Sequence, residues 1–344
     1  MTATQNHEAP RTDVLITTAF LAPGDEVDAL LHDAGLATRH EPELDTLPVE
    51  ERAAVLAGVR AIIAGTRPLG ADDLIAADDL QVVVRTGVGY DSVDVDTATR
   101  RGIPVCITAG ANRQAVAEHV FALMLSSARR VSENIRNLAD GRWNQLTGRE
   151  LRGATLGILG LGSIGKAVAT IARGFGMHVA AYDPYFDEEF AAANGIRRAT
   201  LDEVLAESDF VTLHLFLDDS TRNLIDADRL ALMKDDAILI NTARGGIIDE
   251  DALVDAVERG VIGGAALDVF AQEPLPADSA LLHTPGILAT THVAGATREA
   301  RGESGRIAAA TVIAVLGGGE PPFVVNPEHR AVAHRAVESR EVPA

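Results

Sequence analysis

Cysteine is almost missing from this chain: Cys106 is the only one in 344 residues. That excludes an intramolecular disulfide and any cysteine-based metal site. Cys106 follows Pro104 in an apolar stretch and reads as small buried filler. Aromatic residues are scarce at 4%, while Ala and Gly are abundant, which suits close packing of helices on sheet. Positive charge is also in deficit, with 30 Lys and Arg against 50 Asp and Glu and a net charge of −20. A nucleic-acid partner requires a basic face for its phosphates, so none is expected. An anionic ligand must be captured by local cations against the global field. No apolar run approaches the roughly 18 residues that span a bilayer, so no membrane partner is expected. The opening MTATQNHEAPRTD contains no apolar signal-peptide core, and the expectation is a cytoplasmic protein.

What the chain does contain is a glycine cluster in a telling context. Leu156–Leu159 forms a short apolar run, followed by Gly160, Leu161, Gly162, Ser163, Ile164 and Gly165, and then by Val168, Ile171 and Phe175 at helical spacing. This predicts strand, tight turn and helix. The first glycine permits the turn, the second lets backbone approach a pyrophosphate, and the third lets helix and strand pack closely. The helix N-terminus, at Ser163 and Ile164, offers unpaired amides to phosphate. A second strand, His178–Tyr182, ends at Asp183, about 20 residues beyond the cluster, where a carboxylate binds a ribose diol. The pattern predicts a dinucleotide cofactor, NAD in preference to NADP.

Around this core, strands alternate with helices from Asp13 to about residue 326, the signature of parallel sheets covered by helices. The expected fold class is α/β, with two doubly wound parallel-sheet domains of Rossmann and flavodoxin-like type. The nucleotide domain, 112–295, is inserted in a substrate-binding domain made of 12–111 and 296–326, with 1–11 and 327–344 as flexible tails. The crossings near Asn112 and Gly295 would form a hinge over a cleft. A long helix is expected from Asn112 to about Ala139, apolar over more than one face and therefore buried between domains or subunits.

Three segments after apolar strands each bring an ionisable group to a strand's carboxyl end: Arg244, Glu273 and His292. Such ends carry the ligands of open α/β sheets. If these strands share one sheet, the three side chains converge. Hydride transfer to a carbonyl needs a proton donor, and imidazole serves in both directions; His292 takes that role. Glu273 favours and orients the charged imidazole, and Arg244 offers a planar fork for a carboxylate. The amides of Gly87, Val88 and Gly89, also after a strand, complete the anion cradle. Glu118 and His119 are adjacent on a helix and face apart, which favours a structural role. His214 closes a strand, either lining the nicotinamide side or serving as filler.

At these residues the chain resembles the D-isomer-specific 2-hydroxyacid dehydrogenases, and most closely their phosphoglycerate dehydrogenase-like branch. The resemblance rests on GVGYDSVD (87–94), VAEH (116–119), LGILGLGSIG (156–165), NTARGGIIDE (241–250), GGAALDVFAQEP (263–274) and THVAGAT (291–297). It implies the split architecture, an Arg/Glu/His catalytic set and a homodimer formed through the nucleotide domain. It also implies cofactor contacts at Val88, Ser163, Ile164, Asp183, Thr242, Ala243, Arg244, Asp268 and His292. The substrate it implies is a small anionic (R)-2-hydroxy acid and its 2-oxo acid. Where phosphoglycerate enzymes commonly carry an arginine, this chain has Ala64, with Arg67 nearby. Glu273 disfavours a formate dehydrogenase, whose histidine is paired with glutamine. Phosphite, phosphonate or sulfonate substrates and a non-catalytic NAD-sensing role are the alternatives.

Overall fold

In the computed structural model, which describes residues 12–332, the chain forms two compact units. One takes the chain up to Asn112 and resumes at Arg298; the other is Arg113–Thr297. The leader 1–11 and the tail beyond 332 lie outside the described residues.

The first unit opens with β1 (Val14–Ile16), α1 (Glu26–Asp33), β2 (Thr38–His40), α2 (Val49–Leu56), β3 (Ala61–Ala64), α3 (Ala71–Ala76), β4 (Val82–Arg85), α4 (Val95–Arg100) and β5 (Val105–Ile107). Every strand pairing is parallel, in the order β2-β1-β3-β4-β5. The three central strands are apolar along their length save for Arg85, because both faces are covered by helices and no residue is left for water.

The second unit contains α5 (Arg113–Ala128), α6 (Val131–Ala139), β6 (Thr155–Leu159), α7 (Ser163–Gly174), β7 (His178–Tyr182), α8 (Glu188–Asn194), β8 (Ile196–Arg198), α9 (Leu201–Glu207), β9 (Phe210–Leu213), α10 (Ala227–Leu230), β10 (Ile238–Asn241), α11 (Glu250–Glu258), β11 (Gly264–Leu267), α12 (Ala280–His283) and β12 (Ile287–Ala289). Its sheet runs β12-β11-β10-β9-β6-β7-β8, again all parallel. Strand order reverses between β6 and β9, so a topological switch point lies beside the glycine turn. The chain then returns to the first unit through α13 (Arg298–Leu316), which packs on α1, β3 and β4. Both units are doubly wound α/β sheets.

The structure corrects several expectations. The long helix to Ala139 is two helices, because Arg130 adopts a left-handed φ of 50° between α5 and α6. Of the two pieces α5 is the buried one, while Val131, Ile135 and Leu138 of α6 are exposed. β8, α4 and α12 are additional short elements. Residues 327–332 do not behave as a loose tail: His329 is buried, and the Asn326 side chain accepts from the Val105 amide (2.8 Å) and donates to Ile103 O and Thr99 Oγ1 (2.9 Å each).

Candidate active site

Strands β10, β11 and β12 are neighbours in one sheet and end at the same level, with Asn241 beside Leu267 and Leu267 beside Ala289. The loops that follow therefore emerge side by side, and they carry Arg244, Glu273 and His292. His292 Nδ1 lies 2.7 Å from Glu273 Oε2. Glu273 also accepts from the Phe270 amide at 3.1 Å. Burial pushes the Glu273 carboxyl up, but the His292 hydrogen bond and charge, the Phe270 amide and the Arg244 guanidinium outweigh it and hold it below the usual range. Glu273 is thus an ionised partner on Nδ1, which leaves Nε2 as the nitrogen able to exchange a proton with a ligand.

Local packing fixes these loops. A side chain on Gly245 would meet the Phe270 carbonyl carbon at 1.8 Å, so only glycine lets the Arg244 loop lie against the Glu273 loop. Asn241, fully buried at the end of β10, accepts from the Ala243 amide (3.0 Å) and donates to Arg244 O (2.8 Å), while Arg244 Nη1 donates to Ala243 O (2.6 Å). Glu250, opening α11, accepts from the Ala271 amide at 2.6 Å. Its carboxyl is raised by burial first, then by the charges of Asp251 and Glu273, and the Ala271 amide opposes the shift.

His292 itself has a left-handed φ of 53°, a conformation costing on the order of 1–3 kcal/mol that needs its surroundings to hold it. Asp268, at 0% exposure, does so. Its carboxylate accepts from Thr290 Oγ1 (2.6 Å) and from the amides of Val293 (2.9 Å) and Ala294 (2.8 Å), while its carbonyl accepts from the His292 amide (2.8 Å). Burial raises this carboxyl too, but hydrogen bonds from His119 and Thr290 and from the two amides win and keep it ionised. The structure therefore ties Asp268 to the strap carrying His292.

At the switch point the glycines divide their labour as their neighbours dictate. Gly160 has φ +103° and turns against the backbone of His214; a Cβ on Gly165 would stand 2.1 Å from Gly160 O; around Gly162 a Cβ would meet nothing within 4 Å. The first and third positions have no room, and the second is open to a ligand, as a pyrophosphate approach demands. Ser163 and Ile164 begin α7, whose first amides have no intrahelical acceptors. Asp183 accepts from the Leu161 amide (2.6 Å) and the Tyr185 amide (2.7 Å), so it braces the glycine turn as well as facing outward. Beside it, Tyr182, Asp183, Arg198, Ala199, Thr200 and Glu203 line a cavity of about 360 Å³ at the ends of β7 and β8. Thr242 Oγ1 is buried with no hydrogen-bond partner among the described residues, a donor left for a ligand. The residues present fit a dinucleotide. His214 is pushed down to about 3 by burial and stays neutral, with Nε2 3.1 Å from Thr212 Oγ1. No group of His, Cys, Asp or Glu among the described residues could hold a metal ion.

Gly87, Val88 and Gly89 follow β4 in the other unit. Gly87 uses its own amide on Arg85 O at 2.9 Å, so the expected cradle of three amides is reduced to Val88 and Gly89. Arg85, 5% exposed, donates from Nε to Gly89 O (2.9 Å) and from Nη1 to Ala64 O (3.1 Å), placing a permanent positive charge under this loop and beside Ala64. Arg67 is paired with Asp45 at 2.6 Å. Reasoning from sequence missed Arg85, Asn241 and Glu250 as supports, although each sits at a strand or helix end and the last two lie within the motif 241–250. It also missed the Thr290–Asp268–His119 contact, for which the sequence has no local signal.

Comparison with known proteins points to one enzyme family. The family model "D-isomer specific 2-hydroxyacid dehydrogenase, NAD binding domain" matches residues 121–294. A glyoxylate reductase of Korarchaeum cryptofilum is 41% identical over 269 residues, 76% of this chain and 81% of that protein. A D-3-phosphoglycerate dehydrogenase of Methanocaldococcus jannaschii is 41% identical over 273 residues, 78% of this chain but 52% of that protein. The chain thus spans about half the length of that relative. A D-lactate dehydrogenase of Aquifex aeolicus, solved with NAD and lactic acid, superposes with a TM-score of 0.79 at 29% identity, covering 89% of this chain and 96% of that one.

Proposed function

Since this chain belongs to the D-isomer specific 2-hydroxyacid dehydrogenases, NAD-dependent oxidoreductases acting on a CH–OH group, we propose that it interconverts a small anionic (R)-2-hydroxy acid and its 2-oxo acid. The observation that carries this reading is the 2.7 Å His292–Glu273 pair on loops adjacent to that of Arg244. The turn Gly160–Gly165, Asp183 and Thr242 would hold NAD, whose nicotinamide would supply the hydride chemistry when bound. Arg244 binds the substrate carboxylate and carbonyl through its planar fork. His292 takes the hydroxyl proton on Nε2 during oxidation and returns it to the developing alkoxide during reduction. Glu273, ionised on Nδ1, fixes the ring and stabilises the imidazolium.

The preferred substrate is an unphosphorylated acid of the glyoxylate or hydroxypyruvate type. Ala64 supplies no cation at the end of β3, Arg67 is engaged by Asp45, and Arg85 is committed to two carbonyls. The nucleotide unit forms a homodimer, for which the exposed Val131, Ile135, Leu138 and Trp143 supply an apolar face, and the protein acts in the cytoplasm. No helix among the described residues is long and apolar enough to cross a membrane.

NADH oxidation across glyoxylate, hydroxypyruvate, phosphohydroxypyruvate, pyruvate and 2-oxoglutarate tests the substrate, with His292→Ala as control. Turnover lost by about 10²–10⁴-fold with NADH binding retained is expected of a general acid. Activity surviving in the variant on every accepted substrate refutes the assignment, and preference for phosphohydroxypyruvate refutes the unphosphorylated class.

A further inference from the structure

His119 stands behind the strap that carries His292. From α5 its Nε2 comes within 3.2 Å of Thr290 Oγ1 and 3.5 Å of Asp268 Oδ1. Thr290 has one hydroxyl proton, and it is directed to Asp268 Oδ1 at 2.6 Å. The remaining capacity of that hydroxyl toward His119 is as an acceptor, so Nε2 must carry the proton of the contact. Asp268 is fully buried and ionised, and no lysine or arginine pairs with it among the described residues; His119 is the titratable side chain in contact with it. A buried charge of this kind needs donors on its lone pairs. Thr290, Val293 and Ala294 provide three, and each of these belongs to the strap. His119 provides the donor that comes from elsewhere in the fold.

We propose that His119 is a positioning residue for the reaction: its Nε2 proton secures the Asp268–Thr290 pair, and that pair holds His292 in its left-handed conformation at hydrogen-bond distance from Glu273. Glu118, the neighbouring acid, has no part in this. It is exposed and accepts from Gln114 at 2.8 Å, on the other side of the helix. The inference rests on the reading that His292 exchanges the proton. It adds that the geometry of His292 is controlled from a helix 171 positions away from Thr290 in sequence.

The test compares His119→Leu, which removes the donor at similar volume, with His119→Gln, whose amide N–H reaches about as far as Nε2. A misplaced proton donor costs rate without costing cofactor affinity. His119→Leu should therefore lower kcat about tenfold with KM for NADH nearly unchanged, and His119→Gln should recover most of it. Thr290→Val should lose as much as His119→Leu, with no further loss in the double variant, because both act on one network. Thr290→Val also decides the matter should His119→Leu fail to fold. Leu retaining wild-type kcat, Gln falling as far as Leu, or fully additive losses would each overturn the proposal. Failure of the underlying reading is distinguishable, because it appears as absence of turnover by the wild-type protein. In that event the ring ¹⁵N shifts of His292 decide: loss of the Nδ1-protonated tautomer in His119→Leu supports positioning, and an unchanged tautomer refutes it.

Discussion

Gly245 and Phe270 occupy the same space so closely that a methyl group on the first would lie 1.8 Å from the carbonyl carbon of the second. The obstacle is backbone, which cannot rotate away as a side chain can. Gly245→Ala must therefore separate the loop holding Arg244 from the loop holding Glu273. Overpacking of this kind costs about 1–3 kcal/mol, and the expected result is a lowered Tm with a loss of kcat/KM larger than stability alone explains. Thermal melts and steady-state kinetics on the same preparation check it; unchanged kinetics would show that the two loops need not touch.

Glu273 is held below its ordinary 4.5, so it stays negative throughout the neutral range. The stability this contributes is present above the unfolded-state value and is lost as pH falls through the lower folded-state one. The same carboxylate holds Nδ1 of His292 at 2.7 Å. Glu273→Gln removes this titration, so the fall in Tm on acidification below the ordinary carboxylate range should be shallower than in the wild type. Thermal melts of both proteins across that range measure it, and coincident pH dependences would remove Glu273 from this role.

Much of this was legible in the sequence, and the exceptions share a cause. The central strands of both sheets are largely apolar runs, and the glycine turn declares itself, because each of its three glycines meets a different local constraint. The adjacency of the loops carrying Arg244, Glu273 and His292 was legible because parallel strands deliver their following loops to one edge. β8 escaped notice because it is a three-residue edge strand whose last two residues, Arg197 and Arg198, are exposed. The break at Arg130 has no glycine or proline to announce it. His119, read as structural, touches Asp268 and Thr290 only after the sheet has closed, and no local pattern encodes that contact.

Asp183 has two duties that a substitution should separate. Its Oδ2 takes the Leu161 amide inside the glycine turn, and its Oδ1 takes the Tyr185 amide. Asp183→Ser relieves the repulsion of a 2′-phosphate but also loosens the turn, each charged hydrogen bond being worth about 1.5–3 kcal/mol. NADH should bind at least about tenfold more weakly, and discrimination against NADPH should shrink because the first affinity falls, not because the second becomes tight. Fluorescence titration with both cofactors decides; NADPH binding as tightly as NADH does to wild type would mean that Asp183 acts by repulsion alone.

Cys106, as the sole thiol, reports on the first unit independently of the site in the second. It lies fully buried in β5, and burial alone pushes its thiol up to about 12. Only the thiolate reacts, so the native protein should be inert to thiol reagents at pH 8 and should take up one equivalent when unfolded. The residue bridges to Val324, and the segment there is pinned by Asn326 to Val105, Ile103 and Thr99. Opening of that segment is thus the step that exposes the thiol. Asn326→Ala removes three hydrogen bonds and leaves buried backbone groups unpaired, so labelling should accelerate by tenfold or more, about 1.4 kcal/mol or above. Equal labelling rates in the two proteins would mean that Cys106 is exposed by an opening in which the contacts of Asn326 stay intact.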